Sequence, residues 1–305
     1  MDNNEILRKV AELKRLGYGR GKISRVLGIG EKRARNLMKK TNKIRTSKIL
    51  LLDIETAPYK GYVWRCWKQN IAPVQMDGGG YVLTWVAKWL LEPDIFSDYL
   101  TGEEIDAEDD SRIVGGIYGL LNEADIVIGH NAKKFDLRRL NSRFIKAGLS
   151  PPLPYQIIDT LLHARKSFDL PHYSLDYLGQ YSGVGRKVKN SGFELWKNVL
   201  TKVAGEIELL EEYNKGDVAL LEDVYLWMLP WIKPHPNLAL IIKEDRPCCA
   251  SCESDNLTWQ HNSTFDTGVN SYPVVRCNAC GALGVGRKTL TPEKSKIFLV
   301  KSITK

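Results

Sequence analysis

The sequence predicts an α/β fold, a mixed sheet flanked by helices, with a small basic helical module before it and a cysteine-rich module after it. Between residues 48 and 230, apolar runs typical of buried strands alternate with segments of helical period. Basic residues concentrate before residue 49, and five of the six cysteines follow residue 247. These observations predict four segments: a basic module at 1–45, a core at 48–232, a metal-binding module at 245–290 and a basic tail at 291–305.

The net charge of +8 is unevenly distributed along the 305 residues. Residues 1–48 hold 15 Lys and Arg against 4 Asp and Glu, which gives +11. Residues 49–245 hold 21 against 28, or −7, and residues 246–305 hold 8 against 4, or +4. Basic ends around an acidic core favour a polyanionic partner, and nucleic acid is the interpretation for the first segment. For the last segment, a merely solvated charged surface is an equal alternative.

The basic module is predicted to contain three short helices. Residues 4–17 have apolar residues at helical spacing, "GKISRVLGIG" gives a second helix with Ile23, Val26 and Leu27 inward, and "EKRARNLMKK" gives a third. A glycine turn before the last helix is typical of a helix-turn-helix DNA-binding unit. A basic three-helix packing module is the alternative. "TNKIRTS" is predicted to link this module to the core.

The core elements follow in order along the chain. "KILLLDIE", "YVLTWVAKWL" and "ADIVIGHN" are predicted strands, because they are apolar and rich in β-branched or aromatic residues. "AKKFDLRRLNSRFIKAG" is a predicted helix with Phe135 near its packed side, and "YQIIDTLLHARK" is a strand that runs into a helix. Helices dominate from about 174 to 229.

Acidic residues occur in the settings that metal sites require. Asp53 and Glu55 lie on an apolar run, where uncompensated charge is costly. Asp217 follows Tyr213 by four residues, so both side chains lie on one face of a helix. Carboxylates from distant segments suit hard divalent ions, and two such ions suit the cleavage of a phosphodiester. Turn acids and a plain packing role for Tyr213 are the alternatives.

Four segments together resemble a known enzyme family. Asp-Ile-Glu-Thr at 53–56, "IVIGHNAKKFDLRRL" at 126–140, "IDTLLHARK" at 158–166 and "YNKGD" at 213–217 occur in the order found in DEDD (DnaQ-like) 3′–5′ exonucleases. This is the proofreading branch of the ribonuclease H-like superfamily. Tyrosine four residues before the last aspartate resembles the tyrosine subtype, and the resemblance spans about 48–230.

The resemblance implies roles for individual residues. The metal-binding carboxylates would be Asp53, Glu55, Asp136 and Asp217, which would hold two Mg²⁺ or Mn²⁺ ions. One ion would activate the attacking water, and the other would stabilise the leaving 3′ oxygen. Tyr213 would position the water, because a phenol with an ordinary pKa near 10 is a weak base at neutral pH.

Substrate contacts follow from the same resemblance. Thr56 and the backbone around Ile54 and Ala57 would lie near the terminal nucleotide, and Asn131 would close a turn close to it. His130 is interpreted as a turn residue, and Asp159 and His163 as structural support.

Two loops have open interpretations. Residues 59–82 contain two Trp and three consecutive Gly, so they form either a substrate-facing loop whose aromatics stack on bases or a buried structural loop. "YSGVGRKVKN" at 181–190 is glycine-rich and basic, so it either follows backbone phosphates or is simply an exposed loop.

The cysteines near the end predict a structural zinc site. Cys249 and Cys252 form one Cys-x-x-Cys pair, and Cys277 and Cys280 form another, with 24 residues between the pairs. Four thiolates at this spacing indicate one tetrahedral Zn²⁺ in a zinc ribbon, with a hairpin between the pairs. Cys248 is an alternative to Cys249. A site with four protein ligands has no open position, so its role would be structural.

The combined hypothesis is a metal-dependent 3′–5′ exonuclease that releases nucleoside monophosphates from DNA. The alternatives are a structure-specific or a transposase- or resolvase-like endonuclease, an RNA-directed exonuclease and a non-catalytic adaptor on a nuclease fold. DNA is favoured over RNA only by the helix-turn-helix interpretation, and replication or repair proteins are candidate partners. Because no signal sequence or membrane span is recognised, a cytoplasmic, bacterial or phage-infected-cell location is expected.

Overall fold

The computed structural model describes residues 6, 9–10, 13, 18–41, 47–65, 67–242, 247–296 and 299, with the side chains of 39–41 excepted. Most of the predicted first helix at 4–17 lies outside these residues. So do most of the predicted linker, Cys66 and most of the predicted basic tail. The chain divides into two compact units, residues 1–44 with 48–226 and residues 45–47 with 227–305.

Two helices of the predicted basic module are described, α1 (Arg20–Leu27) and α2 (Glu31–Thr41). Gly28 ends α1 in the left-handed conformation (φ 61°), which separates the two helices by a tight turn. Ile23 and Ala34 are buried together with Ile6 and Val10 in a small apolar cluster. Val26 is 55% exposed, so the prediction that it points inward is wrong. The assignment as a helix-turn-helix stays a prediction.

The rest of the first unit is an α/β domain. Its strands are β1 (Ile49–Thr56), β2 (Lys60–Gly61), β3 (Met76–Gly78), β4 (Val82–Trp89), β5 (Ile95–Tyr99), β6 (Ile126–Gly129) and β7 (Gln156–Asp159). Its helices are α3 (Gly102–Ala107), α4 (Ser111–Glu123), α5 (Asp136–Lys146), α6 (Thr160–Ser167), α7 (Leu175–Ser182), α8 (Phe193–Leu200) and α9 (Glu206–Met228), the last of which extends to the second unit.

Five of these strands form one mixed sheet in the order β5-β4-β1-β6-β7. β1 pairs in parallel with β6, and β6 with β7, whereas β4 and β5 are antiparallel additions. β1 is central, so its residues from Ile49 to Leu52 are buried on both faces, as its continuous apolar run predicts. The mixed α/β class is therefore confirmed. β2 and β3 form a separate two-stranded sheet.

Some elements differ from the sequence prediction. α5 begins at Asp136 rather than at Ala132, because Asn131 adopts a left-handed conformation (φ 71°) and opens a turn through Phe135. Phe135 is 40% exposed, so it does not join the packed side. The sequence pattern does not predict β5, α3 or α4. α4 buries Ile113, Val114, Ile117 and Leu121 against the sheet.

The second unit contains a three-stranded antiparallel sheet in the order β10-β9-β8. Its elements are α10 (Leu238–Ile242), β8 (Leu257–Asp266), β9 (Ser271–Cys277), β10 (Leu283–Val285) and α11 (Glu293–Lys296). The hairpin predicted between the two cysteine pairs is confirmed as β8 and β9. In neither unit does a described helix have the length and apolar character needed to cross a membrane.

Candidate active site and metal centres

β1 carries two of the predicted ligands on one face. Successive strand residues alternate between faces, so Asp53 and Glu55 point to the same side. Leu52 and Ile54 point to the other side, where both are buried in the core. The alternation within "LDIE" thus anchors the strand on one face and presents two carboxylates on the other.

α9 brings Asp217 to the same place. One carboxylate oxygen from each of Asp53, Glu55 and Asp217 lies within 4.8 Å of the other two. Asp217 is 1% exposed and sits one helical turn after Tyr213, as the spacing predicts. Asn214, between them, reaches back to β1 with its amide donating to the carbonyl of Asp53 (3.4 Å). We call Asp53, Glu55 and Asp217 the carboxylate cluster.

The two oxygens of Asp217 have different environments. Oδ2 accepts a hydrogen bond from Lys187 Nζ (2.6 Å), and the same ammonium donates to the Tyr213 hydroxyl (3.1 Å). Oδ1 is buried without a hydrogen-bond partner among the described residues. A buried carboxylate oxygen without a donor is costly, so this atom is suited to a bound cation.

Asp136 lies beside this cluster rather than inside it. Its side chain is 2% exposed, and its Oδ1 accepts a hydrogen bond from the backbone N–H of Ile54 (3.2 Å), between the two β1 carboxylates. Asp136 also raises the pKa of Asp53, so the two carboxyl groups interact electrostatically. The structure therefore brings three of the four predicted ligands into one cluster and places the fourth against the same strand.

The clustered carboxyl groups have strongly perturbed acidities. Burial, followed by repulsion from Asp136, Glu55 and Asp217, raises the pKa of Asp53 well above its usual value. Burial and repulsion from Asp217 raise the pKa of Glu55 to about 8. Burial raises the pKa of Asp136 to about 7 against the opposing effect of backbone hydrogen bonds. Such crowding of negative charge is typical of a site built for cations.

Lys187 partly compensates this charge. Burial alone would lower its pKa, but attraction to Asp217 and hydrogen bonds to Asp217 and Tyr213 raise it above the usual value. The ammonium in turn opposes the rise in pKa of Asp53, Glu55 and Asp217. The sequence indicates only a basic loop at 181–190, and nothing in it distinguishes Lys187 from its basic neighbours.

Asp159 stabilises the turn that precedes α5. Its buried carboxylate accepts hydrogen bonds from the backbone N–H groups of Asn131 (3.0 Å), Lys133 (3.1 Å) and Leu162 (3.3 Å). His130 in the same turn interacts through Nδ1 with the Thr160 hydroxyl (2.9 Å), and burial lowers its pKa to about 4. These residues position Asp136 and do not point to a ligand role of their own.

The predicted substrate contacts fall into two groups. Ile54 and Ala57 have buried side chains, and their backbone N–H groups donate to Asp136 and to the carbonyl of Tyr81. Thr56 and Asn131 are half-exposed. Thr56 and Asn131 can therefore meet a ligand with their side chains, whereas Ile54 and Ala57 mainly support the strand.

The donor set of the carboxylate cluster fits a hard divalent ion. It offers only oxygen atoms, and one of them is buried without a partner among the residues described. Mg²⁺ and Mn²⁺ prefer such ligands, and Asp53, Glu55 and Asp217 would hold them, with Asp136 adjacent.

The four predicted zinc ligands form a second cluster, in the second unit. The sulfur atoms of Cys249, Cys252, Cys277 and Cys280 all lie within 4.8 Å of one another. The Cys249–Cys280 and Cys252–Cys277 sulfur separations are both 3.6 Å. Tetrahedral zinc with bonds of about 2.3 Å gives sulfur separations of about 3.8 Å, whereas a disulfide needs about 2.05 Å. Cys248 lies outside this cluster, and the four thiols are compatible with zinc.

Residues 96–229 match the RNase_H superfamily. The matched region includes Asp136, Lys187, Tyr213 and Asp217, and it begins after the strand that carries Asp53 and Glu55.

Other similarities are partial. The chain is 31% identical over 110 residues to the acetyl-coenzyme A carboxylase carboxyl transferase subunit alpha of Blochmanniella pennsylvanica (strain BPEN), and 31% identical over 108 residues to that of Blochmanniella floridana. These matches cover 35% and 34% of this chain and 33% of each relative, so the chain spans about a third of their length.

A family B DNA polymerase from the hyperthermophilic archaeon Pyrobaculum calidifontis is similar over 61% of this chain and 25% of its own, with a TM-score of 0.46 and 18% identity. The matched region contains β6, β7 and most of β5, whereas β1 and β4 precede it. A five-stranded mixed sheet flanked by helices, together with the match over residues 96–229, supports a ribonuclease H-like fold for the central part of this chain.

Proposed function

We propose that the protein is a metal-dependent 3′–5′ exonuclease of the DEDD type, tyrosine subtype, that hydrolyses DNA to nucleoside monophosphates. The observation that carries the proposal is the buried, unpartnered Oδ1 of Asp217, set among the carboxylates of Asp53 and Glu55 in the described part of the chain. A nuclease is also the activity that a ribonuclease H-like domain favours. Fold alone does not determine activity, so the site must carry the argument.

In this proposal the carboxylate cluster and Asp136 hold two Mg²⁺ or Mn²⁺ ions. When bound, such ions lower the pKa of water and stabilise the charge on a leaving oxygen. Burial raises the pKa of Tyr213 above its usual value, so its phenol stays protonated at neutral pH. The Tyr213 oxygen accepts a hydrogen bond from Lys187, and its own O–H donates to the Asp217 carboxylate, whose pKa it lowers. In this proposal the phenolic proton orients a water or a phosphate oxygen when the substrate is bound.

The remaining modules would supply affinity. Residues 1–48 carry a charge of +11, from 15 basic and 4 acidic residues, and would attract a polyanion that the acidic core repels. If residues 1–45 form a helix-turn-helix, DNA is the expected polyanion, with replication or repair proteins as further partners. Zn²⁺ at the four cysteines would be structural. The cytoplasm of a bacterial or phage-infected host cell is the proposed setting.

Two other activities fit the same fold. A transposase- or resolvase-like endonuclease would cut internal phosphodiesters, and an RNA-directed exonuclease would prefer ribose at the terminal nucleotide. The endonuclease does not explain as directly why Tyr213 shares a helical face with Asp217 beside the cluster. The RNA-directed exonuclease would use the same residues, so only the helix-turn-helix interpretation favours DNA over RNA.

The proposal is tested with a single DNA strand labelled at its 5′ end and incubated with Mg²⁺. We expect a ladder of products that shorten by one nucleotide at a time from the 3′ end. Asp217→Asn should reduce the rate at least about a hundredfold, since loss of a metal ligand removes several kcal/mol of transition-state stabilisation. Omitting Mg²⁺, rather than adding a chelator, leaves any zinc in place.

Glu208→Gln is the matched control, because Glu208 is an exposed acid on the same helix, α9. It should cleave like the unmodified protein. Nicking of a closed circular DNA would favour the endonuclease, and faster shortening of an RNA strand would favour the RNA-directed alternative. Full activity in Asp217→Asn would remove the basis of the proposal.

A further inference from the structure

The segment between β1 and β4 projects an unusual set of apolar side chains. We call residues 58–65 and 67–80 the aromatic arm. Trp64 is 95% exposed, Trp67 86%, Val74 92% and Tyr62 71%. Exposed apolar clusters of this kind mark interaction sites, because a monomeric surface gains nothing from holding several large aromatics in water.

The two ends of the arm are paired, with an irregularity between Lys60 and Gly61. β2 pairs with β3 in antiparallel register, with Lys60 opposite Gly78. Tyr62 donates its N–H to the carbonyl of Gln75 (2.8 Å), and the Gln75 amide donates back to the carbonyl of Tyr62 (2.9 Å). The paired residues 60–62 and 75–78 form a stem, and Trp64 and Trp67 lie in the loop beyond it.

The base of the arm is fastened next to the carboxylate cluster. Ala57, two residues after Glu55, exchanges backbone hydrogen bonds with Gly80 and Tyr81. Gly79 has a φ of 92°, and a Cβ there would approach the carbonyl oxygen of Pro58 to 2.1 Å, so only glycine permits this return of the chain.

A second contact links the arm to α5. The Arg139 guanidinium lies over the Tyr59 ring (5.1 Å to the centroid) and donates to its hydroxyl (2.5 Å). Arg139 is one turn from Asp136, the first residue of α5. The arm is thus attached both to the strand that carries Asp53 and Glu55 and to the helix that begins at Asp136.

The charge of the arm is opposite to that of the domain around it. The arm holds Lys60, Arg65 and Lys68 against Asp77, or 3 − 1 = +2, within a segment of net charge −7 (21 basic and 28 acidic residues between 49 and 245). Among the described residues, neither Arg65 nor Lys68 forms an ion pair. Exposed Trp side chains interleaved with such cations are the combination that binds single-stranded nucleic acid, since bases stack on the rings and phosphates meet the cations.

We propose that the aromatic arm is a stacking platform for unpaired bases of a single strand whose end lies in the carboxylate cluster. Trp64 and Trp67 supply the faces for stacking, and Arg65 and Lys68 supply the charge. The inference rests on the proposed function for the identity of the polymer, and it adds where and in which form the strand is held.

The test is a binding measurement in the background of Asp217→Asn, which blocks cleavage. A fluorescein-labelled single strand of deoxythymidylate is titrated with the full chain, and anisotropy gives the dissociation constant. Trp64→Ala and Trp67→Ala should each weaken binding roughly ten- to a hundredfold, the range expected when one stacked base is lost. Trp64→Phe should recover most of the affinity, because phenylalanine keeps a ring that can stack.

Two controls distinguish stacking on bases from a general loss of apolar surface. Val74→Ala removes an equally exposed apolar side chain of the same arm that has no ring, and it should change affinity less than twofold. A blunt duplex of the same length should bind the Trp variants and the parent equally, because its bases already stack on one another.

The proposal is overturned if Trp64→Ala and Trp67→Ala bind the single strand as tightly as the parent. It is also overturned if the parent self-associates in sedimentation and these substitutions abolish association while leaving strand binding unchanged. The outcome is separable from the proposed function. If the unsubstituted chain cleaves DNA but the Trp variants bind the single strand normally, only the proposal for the aromatic arm is rejected. If binding depends on the Trp residues but the unsubstituted chain cleaves nothing, only the exonuclease proposal is rejected.

Discussion

The carboxylate cluster and the cysteine cluster each gather potential metal ligands within 4.8 Å, yet they differ in construction. The cysteine cluster takes all its atoms from two Cys-x-x-Cys turns, each of which is local in sequence. The carboxylate cluster joins Asp53 and Glu55 on a strand to Asp217 on a distant helix. One site is assembled mainly by local turns, and the other exists only when the sheet and helices have packed.

The two clusters also treat charge differently. Four thiolates complete the coordination of one Zn²⁺ and leave no position for a substrate. The three carboxylates instead leave an oxygen of Asp217 without a partner in the described structure and accept Lys187 as an internal cation. We therefore expect a resident structural ion at the cysteines and exchangeable ions at the carboxylates.

The largest predicted effect is the loss of zinc from the cysteine cluster. Cys277→Ser should abolish stoichiometric zinc and unfold residues 247–296, since structural zinc in small modules contributes about 10–16 kcal/mol of apparent binding free energy. Zinc content and hydrogen exchange would measure this. Protection of β1 and β6 and cleavage of a single strand should persist, because the carboxylate cluster contains no residue of the second unit.

Cys248→Ser is the matched control, because this cysteine neighbours Cys249 but lies outside the four-sulfur cluster. It should retain zinc. Equal loss of zinc in the Cys248 and Cys277 variants would contradict the ligand set.

An intermediate effect is expected at Lys187. Its ammonium competes with a divalent ion for Asp217, so Lys187→Met should tighten Mn²⁺ binding about tenfold in calorimetry or by paramagnetic resonance. At an effective dielectric constant of about 20, two unit charges about 4 Å apart, such as the ammonium and one charge of the ion, interact by about 4 kcal/mol. Partial exposure of Lys187 reduces this repulsion to about 1.4 kcal/mol, which corresponds to the tenfold change in affinity.

Lys189→Met is the control for this experiment, since Lys189 lies on the same loop and is exposed. It should change Mn²⁺ affinity little. Weaker Mn²⁺ binding in Lys187→Met would mean that the lysine orients Asp217 for the ion rather than competing with it, and the contrast between the clusters would have to be revised.

What the sequence predicts well is what local pattern determines. The apolar run before Asp53 predicts β1, and the Cys-x-x-Cys spacing predicts the cluster that contains Cys249 and Cys277. The spacing of Tyr213 and Asp217 predicts their common helical face because about 3.6 residues complete a turn. None of these inferences requires knowledge of a distant contact.

The rest depends on tertiary packing. The loop that carries Lys187 is held by a hydrogen bond from the Lys187 backbone N–H to the Asp176 carboxylate. It also packs closely on α7, because a Cβ on Gly179 would lie 2.8 Å from the carbonyl oxygen of Gly185. α5 begins at Asp136 because Asp159, at the end of β7, accepts hydrogen bonds from the backbone of the preceding turn. The contacts of Lys187 with Asp217 and of Asp159 with Asn131 join residues 30 and 28 positions apart, so periodicity and composition contain no sign of them.

The smallest effect is a pH dependence confined to the carboxylate cluster. Burial and Asp217 raise the pKa of Glu55 from 4.5 to about 8, so the folded state favours its protonated form. The resulting stability is fully present below about pH 4.5 and is lost as pH rises to about 8. Without Mg²⁺ or Mn²⁺, Glu55→Gln should therefore be about 1 kcal/mol more stable than the parent at about pH 8.

Urea unfolding of the first unit at several pH values would measure the difference, with Glu208→Gln as the exposed control on α9. Adding Mg²⁺ should reverse the order at about pH 8, because the ion binds the deprotonated cluster of the parent and thereby stabilises its folded state. The cysteine cluster should not respond to Mg²⁺, since thiolates are poor ligands for a hard ion. Equal stability of parent and Glu55→Gln at every pH would show that neighbouring groups already offset the cost of ionising Glu55. Asp217 would then be the carboxylate of the cluster whose buried charge is least compensated.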